Sequence, residues 1–447
     1  MAIKSKINFI FDKVILPEVF EGKYKEIINN LNQKIALKEV VGQKNLGFFE
    51  ADKCIQKNDY LKIKNIVKFF WNEKIDALVV IAPKHICMQS EGIINLANSS
   101  AKKNKKIEII FVDESYDGID VAKLIQYLEN RSFAINIISQ NGEDFESLII
   151  FRELISLLNN QVGRNNAIKY IFVTTNNNYG KLFNLVQMRK YHHLVLLDNT
   201  TERFLNYSAA VLLPMACANI DIDEYIEGAK EANEFYSNTS LENNPAYKYA
   251  LVRYIFNKQT KNRDEKDIFS LENIVVGSKT YKAFADLFSM YLNSTSYRSY
   301  RGICVNSYIQ PSETKANANL FFNKQRKMFD THLIIKNPLY DFNIAITSDI
   351  EGDDLSFLMK QTYNKINKLL NQVVKDYHLI NQIPFLEIVI EDLEDKTLGW
   401  LIAFIHRAAI MSSYLMKLNP FEDFGLKTYN IEMNKKITDL IGGNKND

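Results

Sequence analysis

Few side chains in this sequence of 447 residues have the type and spacing that catalysis or ligand binding requires. Arg203, in the run TERF, carries a guanidinium that can bind an anion, although Glu202 beside it could pair with it or quench it. His85 lies two residues from Cys87, which suggests a nucleophile–base pair, but a loop histidine beside a buried cysteine is the ordinary arrangement. Arg203 therefore keeps two open interpretations, anion binding and a structural role.

Metal chemistry is not expected. His192 and His193 are adjacent, but no cysteine stands near them at the spacing of a metal site. The cysteines lie far apart, without a CxxC pair, and this favours buried free thiols over a metal site or a disulfide framework. They are Cys54, Cys87, Cys217 and Cys304. The sequence predicts neither a metal nor a cofactor.

Two aromatic groups have a composition that is common at protein interfaces. They are 234–237 (EFYS) and 297–301 (YRSYR), and the second combines tyrosine with arginine. Core packing or a solvated surface is the simpler alternative for both groups.

Composition excludes several classes of protein. The net charge is +2 and the pI about 8.0, so neither nucleic acid nor a membrane surface is expected as the main partner. No run of 18 apolar residues occurs, and the short apolar run near the N-terminus lacks a small-residue cleavage site. We therefore expect a soluble cytoplasmic protein without membrane insertion.

Short apolar runs alternate with longer amphipathic ones, which predicts parallel sheets covered by helices on both faces. The predicted strands are 76–82, 107–112, 134–139, 170–174 and 194–197, then 274–276, 302–305 and 386–390. The predicted helices are 90–98, 121–129, 145–158 and 181–189, then 246–257, 281–292, 355–374 and 398–418. Asn244 is expected to cap the helix that Pro245 begins, near the boundary between two domains.

Several stretches carry a resemblance to a known family. They are 398–404 (LGWLIAF), which leads to 418–425 (LNPFEDFG), and 133–139 (FAINIIS), which is followed by Gly142, Glu146 and Arg152. In order and spacing, from about residue 61 to 441, the sequence resembles glucose-6-phosphate isomerase of the short bacterial type. The resemblance implies two sugar-isomerase domains, each a flavodoxin-like α/β/α sandwich, and a homodimer. The expected division is a helical segment at 1–60, a first domain at 61–240, and a second domain at 241–447 that ends in a helical arm.

The family's catalytic positions are occupied by other residues. Its catalytic glutamate falls on Ser294, its ring-opening histidine on Lys315 and its C-terminal lysine on Asn430. A serine hydroxyl is a weak base, an ordinary lysine stays charged at neutral pH, and asparagine carries no charge. Arg203 is the one functional residue retained. We therefore expect the isomerase activity to be lost.

The phosphate-binding loop of the family is also replaced. Where the family has serine and threonine hydroxyls, this chain has Asn141, Glu143, Asp144 and Phe145. Each carboxylate about 5 Å from a phosphate charge costs roughly 3 kcal/mol at an effective dielectric of about 20. Acidic residues at a helix N-terminus are better explained as complements of the helix dipole. No phosphate site is predicted here.

Three functional hypotheses follow. The leading one is a catalytically degenerate homologue, a pseudoenzyme that serves as a structural or interaction subunit among other protein subunits, in an assembly such as a cytoskeletal or motility machine. The alternative is a small-molecule-binding sensor, or an enzyme with a remodelled pocket around Arg203. A divergent active glucose-6-phosphate isomerase is the third.

Overall fold

The described part of the chain folds around two five-stranded sheets, and this confirms the predicted α/β class. The computed structural model describes residues 4–11, 23–98, 107–113, 117–258, 269–298, 301–322, 327–345 and 354–443. Its strands are β1 (Ile7–Phe11), β2 (Ala77–Ile81), β3 (Glu108–Val112), β4 (Phe133–Ile138), β5 (Ile171–Thr175), β6 (His192–Val195), β7 (Leu271–Val276), β8 (Cys304–Ile309), β9 (Met328–Ile335) and β10 (Phe385–Ile390).

The helices cover both faces of the sheets and connect successive strands. They are α1 (Lys23–Ala36), α2 (Lys57–Asn72), α3 (Lys84–Asn98), α4 (Gly118–Leu128), α5 (Phe145–Val162), α6 (Arg164–Ala167), α7 (Gly180–Arg189), α8 (Ala209–Cys217), α9 (Ile222–Asn238), α10 (Pro245–Asn257), α11 (Lys282–Ser296), α12 (Ser312–Ala316), α13 (Ala318–Phe321), α14 (Tyr363–Ile380), α15 (Asp395–Leu415) and α16 (Phe424–Gly443).

The first sheet is parallel throughout, with strand order β3-β2-β4-β5-β6. Every residue of β2, β4 and β5 is buried, because helices α4, α5 and α7 cover one face and α2, α3 and α8 the other. Strands buried on both faces are continuous apolar runs, and these three were predictable for that reason. The order is the flavodoxin-like one, which reverses between β2 and β4.

The second sheet repeats this order as β8-β7-β9-β10, all parallel, and adds β1 antiparallel to β10. The expectation that residues 1–60 are helical is therefore wrong for Ile7–Phe11. Ile7 and Phe9 of this edge strand are buried and alternate with exposed residues, the period of a strand with one covered face. The domain division at residues 60 and 240 stays a prediction.

Helix α15 is the central element of the packing. Every residue from Thr397 to Leu415 is buried, and the helix packs against α9, α10 and α11. Among the described residues it is the one helix long and apolar enough to cross a membrane, and it lies wholly inside the fold. As predicted, Pro245 begins α10 and the Asn244 side chain accepts a hydrogen bond from Tyr247 N, at 3.1 Å.

Candidate functional site

A cleft of about 380 Å³ lies where the two halves of the chain meet. From the first half come the segment after β2, the segment after β4 and the turn at 198–204. The second half contributes the end of α11 and residues 420–426 at the start of α16. The carboxyl ends of β2 and β4 flank the point where the strand order reverses, the usual place for a ligand in such sheets.

His85 lies in this cleft because of the turn that follows β2. Pro83 stands two residues after the end of β2, and His85 lies in the first turn of α3. One turn later, the fully buried Gln89 donates from Nε2 to the carbonyl oxygens of His85, at 3.0 Å, and Glu202, at 2.6 Å. Its Oε1 accepts from Leu205 N at 2.7 Å. A single amide side chain thus fixes the backbone of two cleft segments against each other.

The side chains of His85 and Glu202 meet although 117 residues separate them, with Nε2 and Oε2 3.3 Å apart. The other carboxylate oxygen of Glu202 accepts from Gln140 N at 3.1 Å. Burial acts to raise the pKa of Glu202, but the hydrogen bonds from His85 and Gln140 outweigh it, and the pKa lies below its usual value. Glu202 is therefore an oriented, ionised carboxylate at neutral pH.

Arg203 pairs with Asp423 and not with its neighbour Glu202. Its Nε donates to Asp423 Oδ2 at 3.0 Å, and its Nη2 donates to the same oxygen. Burial acts to raise the pKa of Asp423, and the Arg203 hydrogen bond overcomes this and lowers it. The Arg203 side chain is 24% exposed, so the guanidinium stays accessible from the cleft.

The three replaced catalytic positions are not brought together. Ser294 lines the cleft, but its hydroxyl donates to the Tyr291 carbonyl oxygen at 3.2 Å. Lys315 is exposed on α12, and Asn430 is half-buried on α16; neither is among the described residues that line the cleft. Arg298, from the second aromatic group, donates to the carbonyl oxygens of Ser294 and Glu422 but is not among the described residues that line the cleft.

The segment that replaces the family's phosphate loop is held by hydrogen bonds among its own residues. Ser139 Oγ accepts from Gly142 N at 2.9 Å and donates to Asn141 Oδ1, which also accepts from Glu143 N at 2.8 Å. Glu143 forms an exposed ion pair with Lys181 at 3.3 Å. Asp144 is the N-cap residue of α5, and Phe145 begins that helix with its side chain partly exposed. That no phosphate binds here stays a prediction.

The remaining sequence candidates lie elsewhere. Cys87 is fully buried, and its thiol donates to the Ala82 carbonyl oxygen at 3.4 Å. His192 stacks on Phe172 in β5. No group of three potential metal ligands occurs among the residues that the structure describes. Tyr236 of the first aromatic group is fully buried, whereas Tyr297 of the second is exposed, and residues 299 and 300 lie outside the described ranges.

A larger groove of about 830 Å³ runs between α5, α6 and α7. Its lining is mainly apolar, with basic side chains and no carboxylate or histidine. Lys181 and Tyr191 are the groups of this lining that can move a proton, whereas the smaller cleft holds a histidine in contact with a carboxylate, the side-chain types used most often for that purpose. The smaller cleft is therefore the candidate active site.

Solved structures support the fold. A hypothetical protein from Thermus thermophilus matches with a TM-score of 0.83 at 17% identity, over 96% of this chain and 99% of that one. A glucose-6-phosphate isomerase from Chlamydia trachomatis matches with a TM-score of 0.71 at 12% identity, over 86% of this chain and 74% of that one. Both likenesses concern the arrangement of the sheets and helices. No family model matches the chain.

Curated relatives correct the functional expectation. Proteins named glucose-6-phosphate isomerase from Mycoplasma mobile and Staphylococcus saprophyticus are 29% and 27% identical, each over 92% of this chain and at least 90% of their own. These relatives indicate an enzyme, so the interpretation as a non-catalytic structural subunit is wrong. That interpretation counted the groups lost at Ser294, Lys315 and Asn430. It did not weigh the contact between a histidine and a carboxylate that the fold brings together in the same cleft.

One curated relative is similar enough to identify the family of this chain. The protein named glucose-6-phosphate isomerase from Mycoplasmopsis pulmonis is 33% identical over 92% of this chain and 94% of its own length. Agreement of that extent spans nearly the whole of both chains, and not a single motif or domain. The resemblance seen in the sequence is confirmed, and the chain belongs to the glucose-6-phosphate isomerase family.

Proposed function

We propose that this protein is an isomerase that interconverts glucose 6-phosphate and fructose 6-phosphate in the cytoplasm. The observation that carries the proposal is the 33% identity to a relative of that name over nearly the whole of both chains. The cleft is consistent with it, since it holds a histidine, an oriented carboxylate and an accessible guanidinium at the strand ends. The proposal corresponds to the third hypothesis above, a divergent active glucose-6-phosphate isomerase.

The reaction needs three contributions from the protein. A base must move a proton between C2 and C1 of the open-chain sugar, a cation must stabilise the oxyanion that develops, and the phosphate must be held. Arg203 is the cation that lines the cleft. Arg298, bound to main-chain oxygens of two lining residues, places a second positive charge next to the α11 side of the cleft.

A coupled assay tests the proposal. The chain is purified from a host that lacks its own isomerase, fructose 6-phosphate is added, and glucose 6-phosphate is oxidised by its dehydrogenase as NADPH absorbance is followed. We expect turnover that scales with protein concentration and saturates with substrate. A parallel preparation from the same host without the gene is the matched control. A rate equal to that control, at every protein concentration, would refute the proposal.

The homodimer implied by the resemblance belongs to the same proposal. The test is to measure the native mass of the fraction that carries the activity. We expect twice the chain mass of 51.8 kDa. Activity that elutes only at the mass of one chain would contradict it.

A further inference from the structure

The cleft contains acid–base groups that the family's own pattern does not account for. His85 lies in the first turn of α3 and Glu202 in the turn at 198–204, and neither is one of the replaced family positions Ser294, Lys315 and Asn430. Each has an ordinary explanation when it is considered alone. The fold, however, brings the two side chains into contact, and they line the same cavity.

Other carboxylates that line the cleft are less suited to this chemistry. Both oxygens of Asp423 are engaged, Oδ2 by Arg203 and Oδ1 by Leu426 N at 3.2 Å. Asp198 and Glu422 are exposed, and Glu422 accepts from Asn419 at 3.3 Å. Glu202 is different because one of its oxygens is fixed by a main-chain amide and the other by an imidazole. A carboxylate held in this way orients the ring and fixes which of its nitrogens carries the proton.

The geometry points to His85 as the base of the isomerisation and to Glu202 as the residue that positions it, an inference that rests on the proposed function. Because Glu202 is ionised it accepts a hydrogen bond from Nε2–H of His85, which leaves Nδ1 with its lone pair for the substrate. The His85 side chain is 14% exposed, enough to reach a sugar in the cleft but shielded from bulk water.

The proton balance closes within this site. Nδ1 of His85 takes the proton from C2, and the C–H electron pair forms the C1–C2 double bond while O1 becomes an oxyanion. Arg203 stabilises that charge. The proton of the O2 hydroxyl then passes to O1, the carbonyl forms at C2, and His85 returns its proton to C1. No oxidant, reductant or metal is consumed, and the imidazole finishes in its starting state.

Variants of His85 give the direct test. We expect His85→Gln to lower kcat by about 10²–10⁴-fold with little change in KM, because the base is lost and the binding groups remain. The matched control is His192→Gln, an exposed histidine of β6, which should leave kcat unchanged. We also expect added imidazole to restore part of the activity of His85→Ala, an effect that lost packing alone would not give. Thermal melting of each variant shows whether it has folded.

Glu202→Gln tests the positioning role. We expect a lower kcat with little change in KM, because the ring loses the carboxylate that orients it while the groups that bind the sugar remain. The other charged groups that share the cleft with the ring are Asp198, Arg203, Glu422 and Asp423, and they are unchanged in this variant. A folded Glu202→Gln protein with the kcat of its parent would contradict the role of Glu202.

The outcomes separate this inference from the proposed function. An active wild type together with a folded, fully active His85→Gln would overturn the His85 assignment alone. A wild type without turnover would overturn both proposals. Loss of activity in His85→Gln, with rescue of His85→Ala by imidazole, would establish the base.

Discussion

Helices α9 and α15 touch backbone to backbone through one glycine on each. A Cβ built on Gly399 of α15 would lie 2.7 Å from Ala229 N and closer still to the Tyr225 carbonyl oxygen. A Cβ on Gly228 of α9 would lie 2.8 Å from the carbonyl carbon of Lys396. The obstructing atoms are backbone in both cases, so no rotamer change can relieve them.

Substitution Gly399→Ala must therefore separate the two helices. Ordinary van der Waals contact begins near 3.4 Å, so the Ala229 contact alone requires a movement of about 0.7 Å, and the closer Tyr225 oxygen requires the helices to move apart further than that. Helix α15 cannot move freely because it is buried along its length against α10 and α11 as well. Overpacking of this kind costs up to about 3 kcal/mol, and the higher helix propensity of alanine offsets about 1 kcal/mol of that cost. We expect a net loss of about 2 kcal/mol in the free energy of unfolding.

Trp400 provides the assay. Its ring is buried and lies 5.5 Å from that of Phe235 and 5.8 Å from that of Tyr236, both on α9, so its fluorescence reports on this crossing. Replacing the other tryptophan, the exposed Trp71, by phenylalanine leaves Trp400 as the single reporter. Urea unfolding is then compared between Gly399→Ala and its parent.

Two further variants make the test specific. Gly118→Ala is the matched control, because nothing lies within 4 Å of a Cβ there, and its stability should equal the parent or exceed it slightly. The double variant Gly228→Ala/Gly399→Ala should lose less than the sum of its single variants, since one separation of the helices relieves both clashes. A Gly399→Ala protein as stable as its parent would refute the reasoning, and strictly additive losses would refute the shared separation.

The remaining predictions concern buried charge and buried histidine. Arg253 and Glu272 are fully buried, with Nε and Oε2 2.6 Å apart. Arg253→Met should therefore lower the free energy of unfolding in urea by about 3–5 kcal/mol, and the additional change Glu272→Gln should restore part of that stability. A loss below about 1 kcal/mol in Arg253→Met would contradict this. Burial, reinforced by Arg407, lowers the pKa of His406 to about 3, so the folded protein keeps this ring neutral while the unfolded chain takes up a proton below about pH 6.5. Stability should therefore fall by about 2 kcal/mol from pH 7 to pH 5 through this residue, and His406→Phe should remove that part of the pH dependence, which unfolding curves at the two pH values measure.

The strands that the sequence failed to predict show where apolar patterns stop being informative. Strand β9 has Asp330, Thr331 and His332 in its middle, all buried, which interrupts the apolar run that reveals a central strand. Asp330 is tolerated there because Asn273 donates to one of its oxygens at 2.8 Å and His378 lies 2.7 Å from the other. Such partners come from β7 and α14, so only the folded chain shows why a polar segment belongs in the core.

The family framework was predictable for the opposite reason. Helix α15 and strand β4 are buried along almost their whole length, so their sequences are constrained by many neighbours at once and keep a recognisable pattern. The active-site cleft is built instead from short turns, each contributing one or two side chains. His85 and Glu202 each had an ordinary explanation in isolation, and no sequence signal joined positions that are 117 residues apart.

Glu202 and Arg203 show how the fold resolves an ambiguity that the sequence leaves open. The sequence left open whether the adjacent opposite charges pair with each other or whether Arg203 binds an anion. In the structure, Glu202 is engaged by Gln140 N and His85, while Arg203 is engaged by Asp423, 220 residues away. Each charge is therefore oriented by a different partner, so the carboxylate can position a base while the guanidinium remains available for an anion. The two charges keep separate partners because the turn at 202–204 packs against the start of α16. A substitution that loosens either segment should lower kcat without touching a side chain that contacts the sugar.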